Sequence, residues 1–77
     1  MVEAYILIQT ELGAAAAVAA AAGELAGVVS AHDVTGPYDV IVKAEAANVN
    51  ELGKMVVSRI QGIEGITRTL TCPVVDL

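Results

Sequence analysis

Apolar and polar positions alternate from the first residues of the chain. In "VEAYILIQ" (residues 2 to 9), Val2, Ala4, Ile6 and Ile8 share one side, and Glu3, Tyr5, Leu7 and Gln9 share the other. Large apolar groups on both sides predict a central strand. Thr10 offers a cap oxygen, Glu11 suits a first turn, and the alanine run that follows has the highest helix propensity available, so a helix is predicted from about residue 11 to residue 23 or 25. Alanine-rich low complexity reads as a tightly packed helix, not as a motif. "VVSAHDV" (28 to 34) and "YDVIVKAEA" (38 to 46) are β-branched and alternating, with Tyr38, Val40, Val42, Ala44 and Ala46 on the core side of the second. Only Thr35, Gly36 and Pro37 separate them, which predicts an antiparallel hairpin.

The clearest helical period follows. After Asn48, a cap residue, Val49, Leu52, Met55, Val56, Arg59, Ile60 and Ile63 recur at steps of three and four. Gly62 and Gly65 mark the exit, and residues 66 to 75 read as a last strand. Pro73 has no N–H for a ladder and places that strand at a sheet edge.

The order βαββαβ predicts an α+β, ferredoxin-like sandwich: an antiparallel sheet with two helices on one face. The other face is then uncovered. It is expected to carry Tyr5, Leu7 and Ile41 beside Lys43, Glu45, Thr67, Thr69 and Thr71, a mixed surface that a second copy would bury as a dimeric α/β-barrel-like assembly. Tyr5, Leu7 and Ile41 are the expected dimer interface.

At 77 residues there is room for one domain, spanning 1–77, and a unit of this size often gains stability from a partner subunit. Cys72 is the single cysteine, so neither an internal disulfide nor a CxxC metal or redox pair is available, and a reducing cytoplasmic setting is expected. No targeting segment is visible, and the apolar run from Ala14 to Ala22 is far shorter than the ~20 residues a membrane span needs. A net charge of −5 with only four Lys and Arg gives no footprint for direct nucleic-acid binding. No cofactor or metal is implied.

The stretch "HDVTGPYDVIVKAEAANVNELGKMVVSRIQGIEGITRTLTCPVV" resembles the ligand-binding (RAM) domain of the Lrp/AsnC family of amino-acid-responsive transcription factors. The likeness rests on TG-x-YD before an apolar strand, an amphipathic helix leaving through an I-x-G-I-type turn, and RT-x-T opening the last strand. The first half matches in element order and in "AYILIQT". A chain whose Met1 already begins the first strand has no residues for a helix-turn-helix domain, so the resemblance implies a stand-alone sensing domain. It further implies a non-enzymatic protein that forms dimers, tetramers or octamers. Such a protein takes an amino acid or related metabolite at subunit contacts and acts on itself or on a full-length regulator.

A zwitterionic effector needs acceptors for its ammonium and donors for its carboxylate. "VTGPYD" offers amides around Thr35 and Gly36, with Asp39 as an acceptor; carried over by position, the effector residues are Val34, Thr35, Gly36, Tyr38, Asp39, Thr67, Thr69 and Thr71. Ordinary turn and strand chemistry accounts for the same residues without a ligand. His32 reads as a strand residue, Arg68 as solvated or paired across a subunit contact, and Cys72 as buried filler. Two alternatives remain open: a small dimeric α+β barrel enzyme of monooxygenase or isomerase type, and an oligomerisation module with no ligand. One His, two Tyr, no Trp and no Phe weigh against catalysis. The copper-chaperone and RNA-recognition versions of the topology lack, respectively, their cysteine pair and their stacking aromatics and basic charge.

Overall fold

The first strand, β1 (Val2–Thr10), lies between two others, as its two apolar sides require. In the computed structural model, which describes residues 1–75, it pairs antiparallel with β3 (Val40–Ala46) on one side and with β4 (Ile66–Pro73) on the other. β2 (Val28–Asp33) joins β3 as a hairpin, giving the order β2-β3-β1-β4. Helix α1 (Ala15–Gly23) connects β1 to β2; α2 (Val49–Met55), extended by a π-helical turn at Val56–Ile60, connects β3 to β4. The chain is thus an α+β, ferredoxin-like fold. Asp76 and Leu77, the end of the expected 1–77 unit, lie outside the described residues.

The core sits between the sheet and the helices. Ala4, Ile6 and Ile8 of β1 and Val40, Val42 and Ala44 of β3 are fully buried, and they meet Val18, Ala19 and Ala22 of α1 and Leu52, Met55, Val56 and Ile60 of the second helical segment. Each large side chain buried in this way contributes ~1.5–3 kcal/mol. Alanine lets α1 settle close to the sheet: a Cβ built on Gly23 would stand 3.9 Å from the Ala31 Cβ. Asn48 caps α2 as expected, its Oδ1 accepting from Glu51 N–H at 2.9 Å.

Thr10 does not cap α1. It remains in β1 opposite Ile66, and the helix begins later, at Ala15, with no side-chain cap. Residues 11–14 form a turn in which Ala14 N–H donates to Glu11 O at 3.0 Å, and Gly13 takes a left-handed φ of 82° that no helix interior accommodates. That turn is tied to the far end of the chain by Glu11 N–H, which donates to Gly65 O at 2.8 Å.

Register decides which side chains share a face, because residues directly opposite in antiparallel strands point the same way. Tyr5 stands between Lys43 and Cys72, Leu7 between Ile41 and Leu70, and Gln9 beside Arg68, all on the face away from the helices. Thr69 and Thr71 stand opposite Ile8 and Ile6, so they belong to the helix-covered face. The expected uncovered face is corrected accordingly: Arg68, Leu70 and Cys72 take the places assigned to the threonines. A bulge at the start of β4, where Gln9 pairs with Arg68 but Thr10 with Ile66, leaves Thr67 as the extra residue and shifts the alternation by one. For the same reason Cys72 is half-buried on the open face and not core filler.

Candidate functional site

At one end of the sheet β1 finishes, β3 and β4 begin, and β2 turns into the loop 34–39. The loop is held by its backbone and by its acid. Val34 N–H donates to Asp39 O at 2.8 Å, closing the turn, and Asp39 N–H donates to Ile8 O at 2.8 Å. The Asp39 Oδ2 accepts from Thr10 N–H at 2.8 Å in a half-buried setting. This carboxylate therefore secures the strand end at the bulge, where the displaced ladder leaves an amide to be satisfied. Gly36 sits at the loop tip with φ 135° and open space around it, a conformation that costs any other residue strain.

Of the sequence-expected effector residues, Val34, Thr35, Gly36, Tyr38 and Asp39 stand together in this loop, and Val34 to Pro37 are exposed. Gln9, from the "AYILIQT" strand, stands between the loop and β4. Gln9 Nε2 donates to Pro37 O at 3.1 Å on the open face, and Arg68 is the cross-strand partner of Gln9 on that face. Thr67 belongs to the same end. Thr69 is reached from the other side of β4, where Gln61 Nε2 donates to its Oγ1 at 3.2 Å. Gln61 ends the π-helical turn, its N–H donating to Val56 O at 2.9 Å. Thr71 lies farther along the strand, opposite Ile6, and is not brought to the loop.

Gln61, Ile66, Thr67, Arg68 and Thr69 line an open groove of about 350 Å³ along the start of β4. Away from it, the open sheet face carries a row of His32, Ile41, Leu7 and Leu70 in adjacent strands. Tyr5 of the central strand β1 and Leu70 of the edge strand β4 remain 43% and 47% exposed on this face. Beside Tyr5, the Lys43 ammonium lies 3.2 Å from Glu3 Oε2. The hydrogen bond to Glu3 and its charge, followed by the nearby Tyr5, hold the Lys43 pKa above its ordinary value. No group of three or more metal-ligating side chains occurs among the described residues, and no helix among them is long and apolar enough to cross a membrane.

The chain is a two-helix, four-stranded sandwich with one bare sheet face and an open groove at its rim. The model of the Lrp/AsnC ligand binding domain matches residues 3–76, and the chain belongs to that family. An uncharacterized HTH-type transcriptional regulator of Pyrococcus furiosus is 38% identical over 48 residues, 62% of this chain and 32% of the regulator; the match thus spans about a third of that longer relative. A crystal structure of a Thermus thermophilus protein superposes with a TM-score of 0.93 at 32% identity, covering 100% of this chain and 96% of that one. Escherichia coli AsnC superposes at 0.89 and 25% identity, over 99% of this chain and 52% of its own. A transcriptional regulator of Neisseria meningitidis, solved in complex with L-Met, shares the fold at TM-score 0.84 and 19% identity, over 97% of this chain and 50% of that one.

Proposed function

We propose that this chain, taken as one domain over residues 1–77, senses a small amino-acid-like effector in the cytoplasm and responds by changing its assembly or its association with a full-length regulator. The observation that carries the reading is the adjacency of two features: a bare sheet face with Leu7 between Ile41 and Leu70, and, at its rim, the loop 34–39 bonded to Gln9, whose cross-strand partner is Arg68. The bare face suits a second copy, with Tyr5, Leu7 and Ile41 in the contact. The rim is then where pairs of subunits meet neighbours as tetramers or octamers, and an effector seated there links occupancy to oligomerisation by mass action. That the N. meningitidis neighbour was solved with L-Met supports an amino-acid effector.

Within the rim, Val34, Thr35, Gly36, Tyr38 and Thr67 are the effector contacts of this reading, with Thr69 reached through the groove. Asp39 braces the loop through Thr10, and Thr71 serves the covered face.

Differential scanning across the amino acids, paired with sedimentation velocity, tests the reading. One or more amino acids at millimolar concentration should raise the melting temperature and redistribute the oligomers, and Leu7→Asp should give a folded monomer that no longer redistributes. A wild-type chain that sediments as a folded monomer at micromolar concentration, or oligomers indifferent to every amino acid, overturns it.

A further inference from the structure

We propose that Glu45 and Arg68 form a reciprocal ion pair between two copies of this chain, made twice across a two-fold axis, and that this pair sets how the two bare sheet faces dock. The inference rests on the face-to-face association proposed above and specifies its register and its choice of partner.

The bare face has an acidic end and a basic end. Glu3 and Glu45 stand directly opposite each other in β1 and β3, and like charges in such a cross-strand pair repel. Lys43, on the same face, relieves one of them: its ammonium lies 3.2 Å from Glu3 Oε2. Glu45 is half-buried and has no ion-pair partner among the described residues. At the other end Arg68, in register with Gln9, is exposed on this face and makes no ion pair or side-chain hydrogen bond among the described residues. Within one copy the two cannot meet, because they lie on opposite sides of β1 and are set apart by its run from Glu3 to Gln9, ~20 Å at ~3.4 Å per residue.

Register locates the axis. Glu45 lies one strand to one side of Glu3 and Arg68 one strand to the other side of Gln9, so the midpoint between them falls on β1 between Tyr5 and Leu7. That point is also the apolar centre of the face, where Leu7 stands between Ile41 and Leu70. A two-fold axis lying between the faces there exchanges the two positions: Glu45 meets Arg68 of the partner subunit, Arg68 meets the partner's Glu45, and the apolar centre is covered. A foreign partner would have to offer an anion and a cation at the same spacing, whereas a second copy does so by symmetry. The guanidinium fork matches a carboxylate, and such pairs fix register and reject wrong partners more than they add raw affinity.

Sedimentation equilibrium of the whole chain, with circular dichroism, tests the pairing by charge exchange. Glu45→Arg and Arg68→Glu should each weaken self-association by about tenfold or more, because either change sets like charges together at two places in the homodimer. An equimolar mixture of the two variants should recover the dimer, since one chain then carries both cations and the other both anions. The doubly exchanged chain should associate within about threefold of the parent. Glu24→Arg, the same charge change at the end of α1 on the helix side, should not rescue Arg68→Glu. Where a single variant is too weakly paired to fold alone, recovery of its dichroism on mixing reads the same way. Single variants that associate as the parent does, a mixture or a doubly exchanged chain that shows no recovery, or rescue by Glu24→Arg overturns this inference and leaves face-to-face association standing. A parent chain that sediments as a folded monomer removes both.

Discussion

The Asp39 carboxylate and the Thr10 amide, 29 residues apart in sequence, meet at 2.8 Å and tie the loop between β2 and β3 to the end of β1. Removing the acid leaves a half-buried N–H without its partner at a bulge that has no ladder bond in reserve. Asp39→Ala should therefore cost about 1–3 kcal/mol of stability, with Asn recovering part because it keeps an acceptor oxygen. Urea unfolding at one fixed protein concentration measures this, and an Ala variant as stable as the parent contradicts it.

Gly65 and Gly36 separate two costs that a glycine can hide. Both have positive φ, 98° and 135°, but a Cβ on Gly65 would stand 3.0 Å from the Ala14 Cβ and 3.4 Å from Val18 Cγ2, whereas one on Gly36 meets nothing within 4 Å. Backbone strain of roughly 1–3 kcal/mol applies to alanine at either site. Crowding against α1 adds to it at Gly65 alone. Thermal unfolding should rank Gly65→Ala below Gly36→Ala, and equal midpoints would show that α1 yields freely at Ala14.

Asn48 caps α2 with its side chain, whereas α1 has no such cap. With its Oδ1 on Glu51 N–H at 2.9 Å, Asn48→Ala should lose about 1 kcal/mol and Asn48→Asp little. Denaturant midpoints read the difference directly, and unchanged midpoints in Asn48→Ala would mean that solvent satisfies the first turn equally well.

The Glu3–Lys43 pair gives a pH signature with a definite sign. Lys43 is held above 10.5, the ordinary lysine value, first by its hydrogen bond to Glu3 and then by the charge of that carboxylate, so the pair's contribution is fully present below 10.5 and lost as pH rises through the higher folded-state pKa. The stability difference between the parent and Glu3→Gln should stay level from neutral pH up to that value and close above it. It should be small, because both side chains face solvent. An NMR titration of the Lys43 side chain should show its pKa fall in Glu3→Gln; an unchanged value would assign the shift elsewhere.

The strands and the second helix were legible because period, cap and turn agreed. Val40, Val42 and Ala44 alternate cleanly, Asn48 precedes a regular apolar step, and Gly36-Pro37 interrupts two β-branched runs. The start of α1 was not legible, since Thr10 is a good cap by type and only the long-range bond to Asp39 and the pairing with Ile66 hold it in the sheet. The facing of β4 was lost for a related reason. A strict two-residue alternation puts Thr67, Thr69 and Thr71 together, and a one-residue bulge, with no mark in the sequence, changes which of them face the helices. The loop 34–39 was found from its motif, whereas Gln9, Gln61 and the groove around Arg68 depend on cross-strand register and on a π-helical turn that composition does not announce.

The two margins of the sheet have a consequence for how a foreign strand can add to it. One margin carries Pro73, which has no amide proton to give, and the other is kinked between Val28 and Ser30, where pairing with β3 slips. An approaching foreign strand meets a missing rung on one side and a displaced one on the other, so sideways stacking of the cross-β kind is poorly templated. Amyloid-like growth from either margin is thus discouraged, even though 56% of the residues are hydrophobic.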